Sequence, residues 1–184
     1  KVEREFDNTL FDGAKGIVYI NNMPATWDET NKYWKINVTQ NSVGEWNYKI
    51  SSITDTEHQI TTINDVAGEQ KIIWDKLIVT ITSDSTSVLV DTTVHFEVKA
   101  VYAYDGKPAL EFTANILRDG KPFTTANNFT DKSKIPCTHR YTVESVKESV
   151  YGITAFNSNS LTVTWTPKPF TQLLIEWINS NVLI

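Results

Sequence analysis

Apolar and polar positions alternate with a period of two along much of the chain, as in Leu77-Ile78-Val79-Thr80-Ile81-Thr82 and His139-Arg140-Tyr141-Thr142-Val143-Glu144. That period belongs to β-strands, whose successive side chains point to opposite faces. The runs are also rich in the β-branched and aromatic residues that suit a pleated surface. Strands are expected near 77–82, 93–103, 110–117, 139–146, 150–156 and 160–165, and earlier near 2–6, 16–20, 33–38, 46–53, 58–63 and 69–74. Asp105-Gly106 and Asp119-Gly120 fall between runs as turn pairs, because Gly supplies positive φ and Asp hydrogen-bonds within its own turn. Short strands at such spacing, with no sustained helical period, predict an all-β chain built as a sandwich or barrel.

The same order of runs occurs twice, and self-similarity of this kind sets the architecture. Gln59-Ile60-Thr61-Thr62-Ile63-Asn64 followed by Lys71-Ile72-Ile73-Trp74 parallels Gly152-Ile153-Thr154-Ala155-Phe156-Asn157 followed by Thr162-Val163-Thr164-Trp165. The offset is 93 positions from Ile60 to Ile153 and 91 from Trp74 to Trp165, so the second copy is two residues shorter in between. Tyr48-Lys49-Ile50 lies 93 before Tyr141-Thr142-Val143. Further upstream, Asn8-Thr9-Leu10 lies 98 before Gly106-Lys107-Pro108, and Asn22-Met23-Pro24 lies 98 before Gly120-Lys121-Pro122. Carried backwards, this register leaves 77–98 without a counterpart, since their partners would fall before Lys1. The chain therefore reads as two tandem Ig-like β-sandwich repeats, 1–75 and 76–166, the first lacking its opening strand and part of the next. A tail at 167–184 follows.

The junction Ile72-Ile73-Trp74-Asp75-Lys76-Leu77-Ile78-Val79 carries no Gly, Pro or Ser linker, which predicts a stiff passage between the repeats. Beyond Pro167 and Pro169, the run from Phe170 to Ile178 is apolar almost all round a helix drawn through it. A helix or strand packed on the sandwich and the approach to a membrane anchor past Ile184 are the two readings, and the run is too short to span a bilayer by itself. The sequence shows no signal peptide and no complete transmembrane helix.

Composition narrows the function classes. With 40% hydrophobic residues, 6 Trp, 7 Tyr and 8 Phe among 184, the chain is too apolar to be a disordered tail. A net charge of −5 without a Lys/Arg cluster gives no footprint for a phosphate backbone, so nucleic acid is not an expected partner. Cys137 is the sole cysteine, so no intrachain disulfide forms. His58, His95 and His139 are scattered and no Cys/His set stands at ligand spacing, so neither a metal nor a cofactor is expected. Asp28/Glu29 and Asp65/Glu69 are carboxylate pairs that any acidic β protein offers, and no catalytic residue is assigned.

Two features point to binding or modification. Trp27, Tyr33 and Trp34, with Trp46 and Tyr48 nearby, offer flat faces with polar edges that suit stacking on sugar rings or burial at a protein interface. The alternative is that Trp34, Trp46 and Tyr48 serve the core while Trp27 caps a hairpin. Asn37-Val38-Thr39 and Asn128-Phe129-Thr130 are N-glycosylation acceptors, which belong on the surface of a secreted protein.

The Tyr-Asp-Gly turn of 104–106, the Asp-Gly-Lys-Pro hairpin of 119–122, Tyr151-Gly152-Ile153-Thr154 and Ile72-Ile73-Trp74-Asp75 resemble the tandem Ig-like repeats of large archaeal cell-surface proteins of the S-layer type. That resemblance covers about residues 2 to 166. It implies an extracellular, non-enzymatic spacer or adhesive stalk, N-glycosylated, partnered by other surface-layer proteins or neighbouring repeats, and held by a membrane anchor beyond the C-terminus. Three readings stand: a structural spacer, an adhesive sandwich binding glycan or protein through Trp27, Tyr33 and Trp34, and a subunit whose incomplete first repeat is finished by a strand from another chain.

Overall fold

The computed structural model describes residues 2–5, 8–64 and 68–169. All of its regular structure is β, and the chain divides into a unit ending at Trp74 and a unit beginning at Asp75, one residue before the boundary expected from the repeat.

The first unit contains β1 (Gly16–Ile20), β2 (Met23–Pro24), β3 (Thr26–Asp28), β4 (Tyr33–Lys35), β5 (Gly44–Tyr48), β6 (Ile50–Asp55) and β7 (Gln70–Trp74). They form a three-stranded sheet in the order β2-β1-β6 and two separate pairs, β3-β4 and β5-β7. Asn21 and Asn22, both at positive φ, make the two-residue turn between β1 and β2. Asn tolerates that backbone better than other non-glycine residues. The buried core is small: Phe11, Val18 and Ala25, with Val2, Ile20, Trp34, Ile36, Ile50 and Ile53 packed half-buried around it.

The second unit contains β8 (Leu77–Ser83), β9 (Ser87–Leu89), β10 (Thr93–Tyr102), β11 (Phe112–Arg118), β12 (Lys121–Thr124), β13 (Asn128–Lys132), β14 (Cys137–Glu148), β15 (Phe156–Ser158) and β16 (Ser160–Thr166). Two sheets result, β13-β10-β8-β15 and β12-β11-β14-β16-β9, the layered arrangement of an Ig-like sandwich. Strict alternation buries Leu77, Val79 and Ile81 from β8 and Val94, Phe96, Val98 and Ala100 from β10 against Ala114, Ile116, Tyr141, Val163 and Trp165 of the other sheet. The pairings β8–β15 and β9–β16 are parallel, while every other ladder in the unit is antiparallel.

Between β15 and β16 the chain changes sheets at Asn159. Its side chain takes over the backbone's role there: Oδ1 accepts from Ile81 N at 2.8 Å and Nδ2 donates to Ile81 O at 2.9 Å. The ladder on β8 is thereby continued past the end of β15, where a backbone donor and acceptor would otherwise be left unpaired.

The two units share one frame in residue detail. Gly44 pairs with Trp74 and Tyr48 with Gln70 in the first, Cys137 with Trp165 and Tyr141 with Leu161 in the second, which reproduces the offsets of 93 and 91. The bridges Glu3–Leu10 and Val101–Pro108 are 98 apart at both ends. Strand β1 keeps that offset on its β2 side, Ile20 with Met23 as Arg118 with Lys121, and departs from it on its β6 side. Ile20 faces Ile50 beside a bulge, and Ile116 faces Val143 beside the equivalent bulge, so β1 matches β11 at an offset of 96.

Two expected strands are absent among the described residues and a third is reduced and shifted. Residues 2–6 hold only the Glu3–Leu10 bridge among those described, residues 58–63 are irregular, and 150–156 becomes strand only at Phe156. In the second unit β15 pairs with β8, whereas among the described residues of the first unit no strand pairs with Ile60 to Asn64. The short strands β2, β3, β9, β12 and β13 lie beyond those expected from the alternation. The tail readings fall on residues 170–184, outside those described.

Candidate functional site

A cavity of about 1440 Å³ opens into the first unit. Its walls are Phe11 and Val18 from the small core, Trp34 from β4, Ile53 from β6, Ile60 from the irregular segment and Ile72 from β7. The repeat explains why it exists. Tyr48 corresponds to Tyr141, Ile53 to Val146 and Ile72 to Val163, and in the second unit all three positions are buried under β8 and β10. In the first unit Tyr48 and Ile53 are half-buried and Ile72 is 41% exposed.

The tryptophans that close the two frames show the same difference at one atom. Trp165 Nε1 donates to Thr92 O at 2.9 Å, in the turn that leads into β10. Trp74 Nε1 is buried and meets no acceptor. An unsatisfied buried donor costs free energy comparable to a lost hydrogen bond.

The structure brings two of the expected ligand residues together and separates the third. Trp27 and Trp34 are opposite each other across β3–β4 with ring centroids 5.5 Å apart, and Trp34 continues the stack to Phe11 at 6.0 Å. Trp34 Nε1 donates to Phe11 O at 2.7 Å, which ties that indole to the core, while Trp27 Nε1 donates to the Glu29 carboxylate. Tyr33 is adjacent to Trp34 on the strand and therefore projects to the opposite face, 40% exposed. Asn37, on the segment after β4, and Asn128, which opens β13, are both exposed.

No family model matches the chain, and no curated protein matches it. Among solved structures it is similar to the fibronectin(III)-like modules of Clostridium thermocellum CbhA, with 14% identity, a TM-score of 0.38, and coverage of 91% of this chain and 83% of that one. The sandwich assignment rests on the two sheets described above.

Of the two carboxylate pairs expected from the sequence, Asp28 and Glu29 are each engaged by a lysine. Asp28 accepts from Lys35 Nζ at 2.7 Å and from Asn31, which hold its carboxyl well below the usual range, and Glu29 is held down by Lys32 and Trp27. Asp65 lies outside the described residues. A more buried pair was not evident in the sequence. Asp55 Oδ1 accepts from Glu57 N and His58 N, and Glu148 accepts from Val150 N and Tyr151 N, at the same offset of 93. Burial pushes both carboxyls up, but these backbone donors, with Arg4 beside Asp55 and Tyr102 beside Glu148, outweigh it and leave both below the ordinary range. They are turn anchors, each fixing the chain after the longest strand of its unit.

The second unit also carries a buried polar line beneath its aromatic cluster. Tyr141 Oη donates to Asp131 Oδ2 at 2.6 Å and Arg118 donates to the same oxygen at 2.8 Å while lying 4.5 Å over the Phe123 ring. Burial followed by the Asp131 carboxylate pushes the Tyr141 phenol far above its usual range.

Cys137, His139 and Asp119 meet on the folded sheet, although the sequence showed no Cys/His set at metal-ligand spacing. Cys137 Sγ is 3.4 Å from His139 Nε2, and His139 Nδ1 is 2.6 Å from Asp119 Oδ2. The signal was an i, i+2 spacing on a strand, which puts both side chains on one face. The order of groups is that of a nucleophile, a base and its orienting acid. Cys137 and His139 lie at the start of β14, paired with β16 alone, and neither they nor Asp119 lines the cavity of the first unit. Among the described residues, no group of three or more His, Cys, Asp or Glu side chains could hold a metal ion.

Proposed function

We propose that this chain is a non-enzymatic structural module of an extracellular surface protein, with its sandwich units acting as spacers. The observation that carries this reading is repetition of one frame down to the pairing register, Gly44 with Trp74 and Cys137 with Trp165, with only Asp75 and Lys76 between β7 of the first unit and β8 of the second. A repeated frame extends a molecule by adding units, and each unit carries one exposed glycosylation acceptor, Asn37 or Asn128. An archaeal surface layer is the setting that the sequence resemblance suggests.

Protease shaving of intact source cells, followed by mass spectrometry of the released peptides, tests the proposal. It expects peptides of this chain in the shaved fraction, with glycan on those that contain Asn37 or Asn128. Recovery of the peptides only after lysis, all unmodified, would overturn it. The adhesive reading has support in the Trp27–Trp34 pair alone, and binding to a glycan array that is lost in Trp27→Ala would favour it.

A further inference from the structure

We propose that Cys137, His139 and Asp119 form a modification site in the second unit, at which the Cys137 thiol captures a small disulfide compound as a mixed disulfide. Its chemistry is independent of any spacer role.

Cys137 and His139 stand two positions apart on β14, so both side chains lie on one face of the strand. Cys137 Sγ is 3.4 Å from His139 Nε2, and the other ring nitrogen, Nδ1, is 2.6 Å from Asp119 Oδ2. A carboxylate only accepts, so Nδ1 carries the proton and Nε2 turns its lone pair to the thiol. Asp119 is itself fixed, because its other oxygen accepts from Arg140 N at 2.8 Å and its own N donates to Arg140 O at 2.9 Å. The imidazole also meets the buried Trp165 edge-on, with ring centroids 5.8 Å apart. The site is within reach of solvent: Cys137 is half-buried and the His139 side chain is 24% exposed.

The thiolate is the reactive form of cysteine, and a base in contact with the thiol supplies it as the sulfur attacks. Here the Cys137 proton passes to His139 Nε2 while Sγ attacks one sulfur of the disulfide. The S–S bond of that compound breaks, a bond from Sγ to the attacked sulfur forms, and the departing thiolate takes the proton back from His139. One disulfide is consumed and one thiol released, with no further oxidant or reductant. Asp119 stabilises the imidazolium in between.

The first unit shows that the frame stands without these groups. Gly44 and Trp46 occupy the positions of Cys137 and His139, and Asn21 that of Asp119. Asn21 ties its turn to the neighbouring chain with an uncharged amide, donating to Asn47 O at 2.7 Å and accepting from Lys49 N at 3.0 Å. A Cβ at Gly44 would lie 3.0 Å from the Trp46 ring, so the indole covers the place where a side chain would begin. In the second unit a smaller imidazole leaves that place to a thiol. The half-buried sulfur, flanked by imidazole and indole, suits a small disulfide better than the surface of a second chain.

The test uses the full 184-residue chain with two small disulfides, dithiodipyridine to follow the rate and glutathione disulfide to weigh the product. Near neutral pH the folded chain is expected to react about tenfold or more faster than the same chain unfolded in urea, where the thiol is ordinary. Intact mass after glutathione disulfide should show a single adduct that a reductant removes. His139→Gln should slow the folded reaction about tenfold or more near neutrality, and far less at about pH 9, where a thiol ionises without help. Asp119→Asn, with an amide like that of Asn21, should slow it less than His139→Gln. Circular dichroism checks that both variants fold, and if either does not, the comparison of folded with unfolded native sequence still decides. Three results would overturn the proposal: a folded chain that reacts no faster than the unfolded one, a loss in His139→Gln that is equal at both pH values, as a packing role gives, or a disulfide-linked dimer in place of the glutathione adduct, which would assign the thiol to a second copy.

Discussion

At the scale of single residues, the two units serve as controls for each other. Trp165→Phe removes the hydrogen bond to Thr92 O, which should cost about 0.5 to 1.5 kcal/mol. Trp74→Phe removes a donor that has no acceptor, so its cost should be smaller by most of that amount. Urea denaturation of both variants, followed by far-UV circular dichroism, measures the difference. The turn anchors give a second prediction. Asp55 and Glu148 have lowered carboxyl values in the folded protein against ordinary values of 3.8 and 4.5. Their contribution is therefore fully present above the ordinary range and is lost as pH falls through the lowered folded values. Stability should be level near neutrality and decline below about pH 4.5, and Glu148→Gln should flatten part of that decline. Denaturation midpoints taken across the acid range would show it. Little of this was legible in the sequence, because Asp55 and Glu148 differ in type and length. Only the pairing register shows that they do the same work.

At the scale of elements, the alternation was sufficient wherever a strand has neighbours on both sides. β8, β10, β14 and β16 fall where the period of two places them, and the turn pair Asp119-Gly120 forms the β11–β12 hairpin with both residues at positive φ. It failed where pairing partners decide the outcome, as at 58–63, since a strand is a relation between segments and its propensity is only half of the cause. One exchange between the units was hidden by the two residues by which β11 exceeds β1. Phe11 corresponds to Ala109 at the offset of 98, and Gly16 to Phe112 at the offset of 96. The aromatic ring that β11 supplies from its first residue is supplied in the first unit by the preceding loop, and Gly16 leaves room for it. A Cβ on Gly16, at φ +155, would lie 2.9 Å from the Phe11 ring and 1.8 Å from Thr54 O. Gly16→Ala should therefore destabilise the first unit by about 1 to 3 kcal/mol or more and leave the second untouched. Residue-resolved hydrogen exchange separates the two responses.

At the scale of the whole molecule, the units differ in how much they bury. Among the described residues, three hydrophobic side chains form the closed core of the first and fourteen that of the second. The gain from burial scales with apolar area removed from water, so opening free energies should differ in the same sense. Amides of β10, β11 and β14 are expected to exchange by the rarest openings, and those of β1 and β6 far sooner. Equal protection in both units would contradict the cavity as described. The tandem plan was legible in the sequence because the offsets repeat, and so was the deficit of the first copy. The Cys137–His139–Asp119 line was not, since it joins a hairpin turn to a strand some twenty positions on, and only the folded sheet brings them together.

The parallel ladders of the second unit have a mechanical consequence. Chain enters at Leu77 of β8 and leaves at Thr166 of β16, and each of these strands is held at its edge by a parallel neighbour, β15 and β9. Tension applied along the chain would load both ladders lengthwise, so that their hydrogen bonds must break together. An antiparallel hairpin pulled from its open end gives way one bond at a time. Asn159, clamped by two bonds to Ile81, stands where that load would pass from one sheet to the other.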